Sequence, residues 1–104
     1  MRSVTRSLTV ETAPAPAEFA KPGLIRVGFT ATKKSIGGAV DRNRAKRRLR
    51  AAAQAQLPLY GVAGNDYVLV ARAATLTGPF ADLLADLRAA LNALREKTGC
   101  KDES

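Results

Sequence analysis

Hydrophobic and polar residues alternate in two stretches of the chain, 7–12 (SLTVET) and 24–32 (LIRVGFTAT). This two-residue period predicts half-buried β-strands. In the second stretch, Ile25, Val27 and Phe29 share one face of the strand. The residues between the two stretches, 13–23 (APAPAEFAKPG), include three prolines, which cannot donate to a sheet ladder. We therefore expect residues 13–23 to form the long loop of a β-hairpin.

Two helices and a third strand are predicted further along the chain. A turn is expected at 35–38 (SIGG), and good helix formers then fill 39–57 without a Gly or Pro, so Pro58 should end this helix. Residues 66–72 (DYVLVAR) are dense in β-branched side chains and predict a strand. Pro79 suits the first turn of a last helix, whose core-facing stripe recurs at three- and four-residue steps: Phe80, Leu83, Leu84, Leu87, Leu91 and Leu94.

The order β, β, α, β, α predicts one α+β domain over residues 1–104, a small sandwich of a mostly antiparallel sheet with helices packed on it. Gly99 should end the last helix, and residues 98–104 should form a frayed tail. No run reaches the length of about 18 apolar residues that a membrane span needs. A single cysteine, Cys100, cannot form an internal disulfide, and this fits a reducing compartment. We expect a cytoplasmic protein.

Charge is distributed unevenly along the chain. The net charge is +8, but residues 1–50 carry +9 and residues 51–104 carry −1. A basic half joined to a neutral half indicates a surface for a polyanion, with nucleic acid as the leading candidate. A membrane surface is disfavoured, because no amphipathic segment combines these cations with bulky interfacial aromatic residues.

The cations concentrate in residues 41–50 (DRNRAKRRLR), where six of the nine side chains after Asp41 are basic. On a helical wheel, Ala45, Leu49, Ala52 and Ala53 form an arc that should pack on the sheet, and the cations occupy the remainder. A solvated face usually interleaves Glu with Lys, because opposite charges four residues apart stabilise the helix whereas like charges destabilise it. A binding surface is therefore favoured over solubilising charge.

Five of these six cations are arginines, whose planar forks bind phosphate oxygens in pairs and stack on bases. No helix-turn-helix pattern precedes the basic helix, so DNA is not expected, and a rigid arginine surface better fits a folded RNA. The glycines of the predicted turn would allow a phosphate to approach the backbone. The candidate RNA-binding residues are Arg26, Lys33, Lys34, Arg42, Asn43, Arg44, Lys46, Arg47, Arg48, Arg50 and Arg72.

Residues suited to catalysis are scarce in this chain. There is no histidine, and Cys100 has no histidine to activate it. Asp82 and Asp86 lie four residues apart on the last helix, a spacing at which two carboxylates could share a metal ion. They lie on the side opposite the leucines, where a solvated face is the default. Asp41 is expected to favour the helix dipole rather than to act as a base. We predict no catalytic residue and no metal ligand in the chain.

The stretch 26–50 (RVGFTATKKSIGGAVDRNRAKRRLR) resembles the protein component of bacterial ribonuclease P. That family carries an RVGF-type strand ending in two lysines, a Gly-containing turn, and an A-V-x-R-N-R-x-K-R-x-x-R helix. The resemblance continues through residues 66–72 and the leucine-rich helix, and it covers about residues 7–95.

The resemblance implies a ribosomal-protein-S5-domain-2-like fold and a ribonucleoprotein endonuclease that removes the 5′ leader from precursor tRNA. Catalysis is then carried by a separate RNA, with Mg²⁺ in the RNA–protein complex and no cofactor on the protein alone. By position, the cations and Asn43 of 42–50 match the motif that docks on the catalytic RNA, and Lys33 and Lys34 match its supporting phosphate contacts. The family also binds the single-stranded leader in a cleft between sheet and helix.

Two features bear on how far this resemblance extends. Family members usually begin with a basic, aromatic-bearing helix, whereas this chain starts with MRSVTRSLTV, almost directly at the first strand. Aromatic residues for stacking on bases are few, and by their phase Phe29 and Phe80 are expected in the core. The alternative function is a non-enzymatic protein that binds structured RNA or associates with the ribosome.

Overall fold

The computed structural model describes residues 1–14, 25–62 and 64–97 of the chain. The predicted order β, β, α, β, α is present, with an additional short strand and two additional short helices. The predicted tail and most of the predicted proline-rich loop lie outside the described residues. In chain order the elements are β1 (Arg2–Val4), β2 (Leu8–Pro14), β3 (Arg26–Thr30), α1 (Lys33–Ile36), α2 (Ala39–Tyr60), β4 (Asn65–Ala71), α3 (Ala73–Thr77) and α4 (Phe80–Lys97).

The four strands form one sheet in the order β1-β2-β4-β3. β1 pairs with β2 and β2 with β4 in antiparallel fashion, whereas β3 and β4 are parallel, so the predicted mostly antiparallel sheet is confirmed. The predicted hairpin is wrong, because β4 lies between β2 and β3. β4 suits this inner position because its apolar residues lie on both faces: Tyr67, Leu69 and Ala71 are buried on one, and Val68 and Val70 are half-buried on the other.

The hydrophobic core lies between one face of the sheet and the helices α2 and α4. Leu8 and Val10 from β2 are fully buried there beside Leu69 from β4. The predicted arc of α2 is confirmed, since Ala45, Leu49, Ala52 and Ala53 are at most 3% exposed. The small side chains of this arc let α2 approach closely, and the buried leucines of α4 complete the core: Leu83, Leu87, Leu91 and Leu94. Within the described ranges, none of the helices is long and apolar enough to cross a lipid bilayer.

Helix α2 continues through Pro58 to Tyr60, and the prediction that Pro58 ends it is wrong. Proline has a φ compatible with a helix, and in the last turn its missing N–H costs only one hydrogen bond. The helix ends instead at Gly61, whose N–H donates to the Leu57 carbonyl oxygen at 2.8 Å. A β-carbon on Gly61 would lie only 2.8 Å from that oxygen and 3.0 Å from Ile25 Cδ1. Position 61 therefore has room for glycine but not for a side chain.

Helix α3 has only five residues and no apolar periodicity, and the sequence patterns did not predict it. Its central residue, Thr75, is fully buried. The Thr75 hydroxyl donates to the Ser7 carbonyl oxygen and accepts from the Arg72 N–H at 2.9 Å. Thr75 therefore joins the start of β2 to the end of β4, and it fixes the segment that precedes α4.

Candidate nucleic-acid interface

The outward face of α2 carries the most exposed part of the arginine-rich motif. Asn43, Arg44 and Arg47 are all exposed, because they lie opposite the buried arc of the same helix. Arg44 forms an ion pair with Asp41, with 3.7 Å between Nη1 and Oδ1 and both side chains at least half exposed. Such a pair contributes little stability in water, and a phosphate could replace the carboxylate. Arg42 and Lys46 lie half-buried beside this face.

Lys33 and Lys34 extend the basic surface at the N-terminal end of α2. Both are exposed on α1, which contacts α2. Gly37 links the two helices with a φ of 102°, a conformation that side chains disfavour, and this explains why the predicted turn contains glycine. Part of that predicted turn is helical, because α1 extends to Ile36.

On the side of α2 that faces β3, an apolar groove of about 580 Å³ separates helix and strand. Ile25, Val27 and Phe29 line it from the strand side, and Ala53 and Leu57 are among the residues that line it from α2. Arg50 stands at its edge, with its guanidinium carbon 5.3 Å from the centre of the Phe29 ring. Phe29 packs against the core as predicted, but it is only half-buried, so its ring also borders this groove.

On the opposite side of α2, Arg48 is turned toward the protein. Its Nε donates to the Thr75 carbonyl oxygen at 2.6 Å, and its Nη2 donates to the Gly78 carbonyl oxygen at 2.7 Å. The guanidinium carbon also lies 5.6 Å from the centre of the Phe80 ring. Although the sequence groups Arg48 with the RNA-binding cations, two of its donors are thus used to attach α2 to the segment between α3 and α4.

Phe80 is 37% exposed, and the prediction that it belongs to the core is wrong. Its phase agrees with that of the buried leucines of α4, but it is the first residue of the helix. We attribute its exposure to this end position, where fewer neighbouring residues surround a side chain than in the middle of the helix. The ring instead forms one wall of a pocket of about 320 Å³ together with Arg44, Arg47, Arg48 and Ala51.

Two of the predicted RNA-binding residues lie away from α2. Arg26 projects from the sheet face opposite to the helices, and its Nε lies 3.2 Å from Asp66 Oδ1. Arg72 is at the end of β4 and donates from Nη1 to the Thr5 carbonyl oxygen at 3.0 Å. Their participation in RNA binding stays a prediction.

The described residues contain no group of three or more His, Cys, Asp or Glu side chains that could hold a metal ion. Asp86, one of the two aspartates considered from the sequence, accepts the Ser7 N–H at 3.2 Å. This contact gives Asp86 a role in fixing the start of β2 against α4. Cys100 lies outside the described residues.

Sequence patterns missed two features that define this surface, the pocket at Phe80 and the inward turn of Arg48. The adjacent arginines Arg47 and Arg48 give a partial indication of the inward orientation of Arg48, because residues adjacent on a helix point about 100° apart. One of such a pair must therefore lie nearer to the packed side. The fold and this surface define a small α+β protein that presents one arginine-rich helix between two aromatic rings.

Comparison with known proteins identifies the family. The family model for ribonuclease P matches residues 1–95, which is most of the chain. The chain therefore belongs to the ribonuclease P protein family, and the resemblance found in residues 26–50 is confirmed.

Relatives from bacteria are similar over the same region. The ribonuclease P protein component of Caulobacter vibrioides is 60% identical over 70 residues, which are 67% of this chain and 46% of the relative. That of Paramagnetospirillum magneticum is 46% identical over 84 residues, 81% of this chain and 62% of the relative. The chain thus spans about half to two thirds of the length of the curated relatives that it matches.

Solved structures of ribonuclease P proteins share the fold. The protein from Staphylococcus aureus superposes with a TM-score of 0.70 at 22% identity, over 91% of this chain and 81% of that chain. The protein from Thermotoga maritima gives a TM-score of 0.70 at 19% identity, over 89% and 82% of the two chains. The α+β architecture predicted from the sequence is therefore confirmed.

Proposed function

We propose that this chain acts as the protein subunit of a ribonuclease P ribonucleoprotein, which removes the 5′ leader from precursor tRNA. The chain would bind the catalytic RNA and assist the binding of the precursor tRNA. The RNA would carry out the hydrolysis, with Mg²⁺ in the RNA–protein complex. Membership of the family supports this proposal, and the arginine-rich face of α2 gives it a structural basis.

The observation that carries the docking role is the exposure of Asn43, Arg44 and Arg47 on one face of a 22-residue helix. The buried arc of α2 fixes this helix on the core, so its cations are held at set spacings before RNA arrives. Exposed arginines at these spacings can each donate two hydrogen bonds to a phosphate. Asn43 adds both a donor and an acceptor, which could recognise a base edge or a ribose hydroxyl.

The groove between β3 and α2 would hold the single-stranded leader. Its apolar lining can cover unpaired bases, and the exposed part of the Phe29 ring offers a stacking surface. Arg50, beside that ring, would hold a phosphate of the leader at the edge of the groove. This placement follows the family's leader site and is tested separately from docking.

Multiple-turnover cleavage of a precursor tRNA at low Mg²⁺ tests the proposed function. The cognate catalytic RNA would be assayed alone, with the wild-type chain, and with a variant carrying Asn43→Ala, Arg44→Ala and Arg47→Ala. We expect the wild-type chain to stimulate cleavage and the variant to fail, because its docking face is removed while the core arc is untouched. Arg88→Ala is the control for charge, since Arg88 is exposed on α4.

The proposal is wrong if the folded wild-type chain binds the catalytic RNA and gives no stimulation. That result would favour the alternative function, a non-enzymatic protein that binds structured RNA or associates with the ribosome. Such a general binder should tolerate Asn43→Ala and bind unrelated structured RNAs equally well at physiological salt. A dedicated docking face should lose affinity on Asn43→Ala and select one RNA.

A further inference from the structure

The pocket formed by Arg44, Arg47, Arg48, Ala51 and Phe80 is named here the Phe80 pocket. It has a volume of about 320 Å³ and lies on the side of α2 away from the groove at Phe29. Phe80 is 37% exposed, although the buried leucines that continue its stripe are at most 1% exposed. Burial in the core therefore does not account for an aromatic side chain at this position.

Phe80 and Arg48 form a fixed wall of the pocket. The Arg48 guanidinium lies 5.6 Å from the centre of the Phe80 ring, and hydrogen bonds of 2.6 and 2.7 Å hold it to the carbonyl oxygens of Thr75 and Gly78. Both flat groups are thus oriented without any ligand. A partner that stacks on them would not have to immobilise them, which lowers the entropic cost of binding.

Arg44 and Arg47 supply positive charge at the same pocket. Within the described ranges, Arg47 has no ion pair or hydrogen bond from its side chain, and Arg44 has only its exposed pair with Asp41. Neither cation is needed by the fold, so both are available to an anion. The pocket therefore combines a stacking surface with two guanidinium groups that an anion can reach.

We propose that the Phe80 pocket binds one unpaired nucleotide of an RNA, with the base stacked against Phe80 and Arg48 and its phosphate on Arg44 and Arg47. Bases in an A-form duplex are stacked on one another and offer no face to a protein, whereas a bulged or looped base does. An acidic peptide would satisfy the arginines but would leave the ring without a stacking partner. The proposal deepens the proposed function and rests on it for the identity of the RNA that supplies the nucleotide.

The test uses two RNA hairpins whose strands are joined by the same non-nucleotide linker, one with a single bulged 2-aminopurine and one in which an added uridine pairs with that base. The paired hairpin carries one more phosphate, so charge alone would favour it. The intact chain is titrated with each at fixed salt, and both affinity and 2-aminopurine fluorescence are measured. We expect the bulged hairpin to bind about 10-fold more tightly, as base–aromatic stacking allows, with quenching of its fluorescence. Equal affinity of the wild-type chain for both hairpins would overturn the proposal.

Two substitutions at Phe80 separate stacking from simple packing. Phe80→Tyr keeps the aromatic face and should keep the preference for the bulge, whereas Phe80→Leu keeps apolar contact and should abolish it. Leu59→Ala is the control for loss of an exposed apolar side chain, because Leu59 is 68% exposed on α2 and does not line the pocket. The proposal would be overturned if Phe80→Leu keeps the preference for the bulged hairpin, or if Phe80→Leu loses the same affinity for both hairpins. A thermal melt checks that each variant is folded.

Failure of this proposal is distinct from failure of the proposed function. If Phe80→Leu leaves the preference unchanged while the wild-type chain stimulates precursor cleavage, the pocket assignment is wrong and the subunit role stands. If the bulge preference depends on the aromatic ring but no cleavage is stimulated, the pocket assignment stands and the subunit role fails. A glutamate-rich peptide could also displace the bulged hairpin from the chain. If this displacement is lost in Phe80→Leu, the pocket is assigned to a protein partner and the RNA assignment is overturned.

Discussion

Replacing Arg48 with alanine should destabilise the fold, although the sequence places this residue among the RNA-binding cations. The substitution removes the two hydrogen bonds from the guanidinium to the carbonyl oxygens of Thr75 and Gly78. Thr75 is fully buried, so water cannot readily replace the donor at its carbonyl oxygen. Removal of Arg48 therefore leaves a buried acceptor without a partner and weakens the attachment of α2 to the segment before α4.

The magnitude follows from these contacts. Hydrogen bonds that involve a charged group contribute about 1.5–3 kcal/mol each, and the lower value applies because Arg48 is only half-buried. Contact with the Phe80 ring adds about 0.5 kcal/mol, and relief of repulsion from Arg44, four residues away, returns a few tenths. We expect a loss of about 3 kcal/mol in the free energy of unfolding, a large fraction of the total for a domain of this size.

Urea denaturation of the free protein measures this loss, and Arg47→Ala is the matched control. Arg47→Ala removes the same charge from the neighbouring position but breaks no hydrogen bond or ion pair among the described residues, so it should change the free energy of unfolding by less than about 0.5 kcal/mol. Arg48→Lys keeps the charge but not the fork, and it should recover no more than half of the loss. Equal stability of Arg48→Ala and Arg47→Ala would show that the two hydrogen bonds of Arg48 do not support the fold.

Three further outcomes are expected. Thr75→Val should lower the free energy of unfolding by about 1–3 kcal/mol, because both partners of the buried hydroxyl lose their bond; an unchanged urea midpoint would contradict this. Gly61→Ala should lower the melting temperature, since the new β-carbon would lie 2.8 Å from the Leu57 carbonyl oxygen, and the opposite result would show that the C-terminus of α2 can shift freely. Phe29→Ala should raise KM for a precursor with a long leader more than for one with a single-nucleotide leader, and an equal rise for both would argue against the groove as the leader site.

Local patterns predicted most elements of the fold because they depend on contacts within each element. The alternation at Ile25, Val27 and Phe29 identified the inner face of β3, and the small-residue arc identified the buried side of α2. The exposure of Arg44 and Arg47 follows directly from that arc. The candidate docking face was therefore predictable in outline, without knowledge of what packs against the helix.

The order of the strands was not predictable in this way. Adjacency along the chain suggested that β2 and β3 form a hairpin, yet β4 is inserted between them. Pairing between distant segments depends on which strand can pair along both of its edges while its apolar face meets the core, and this is a property of the whole sheet. Pro58 is a smaller case, because a proline ends a helix in isolation but costs only one hydrogen bond in the last turn of a helix held by tertiary packing.

The sequence by itself determined that this chain forms strands and helices with one arginine-rich helical face, because periodicity and local charge depend only on residues that are close together in the sequence. Only the tertiary structure decided that Arg48 faces the protein and that Phe80 lies in a pocket at the surface. The period of a helix gives the direction of each side chain around its axis, but not where the neighbouring elements end. Whether a residue is covered depends on those ends, and they are fixed only when the helices pack on the sheet.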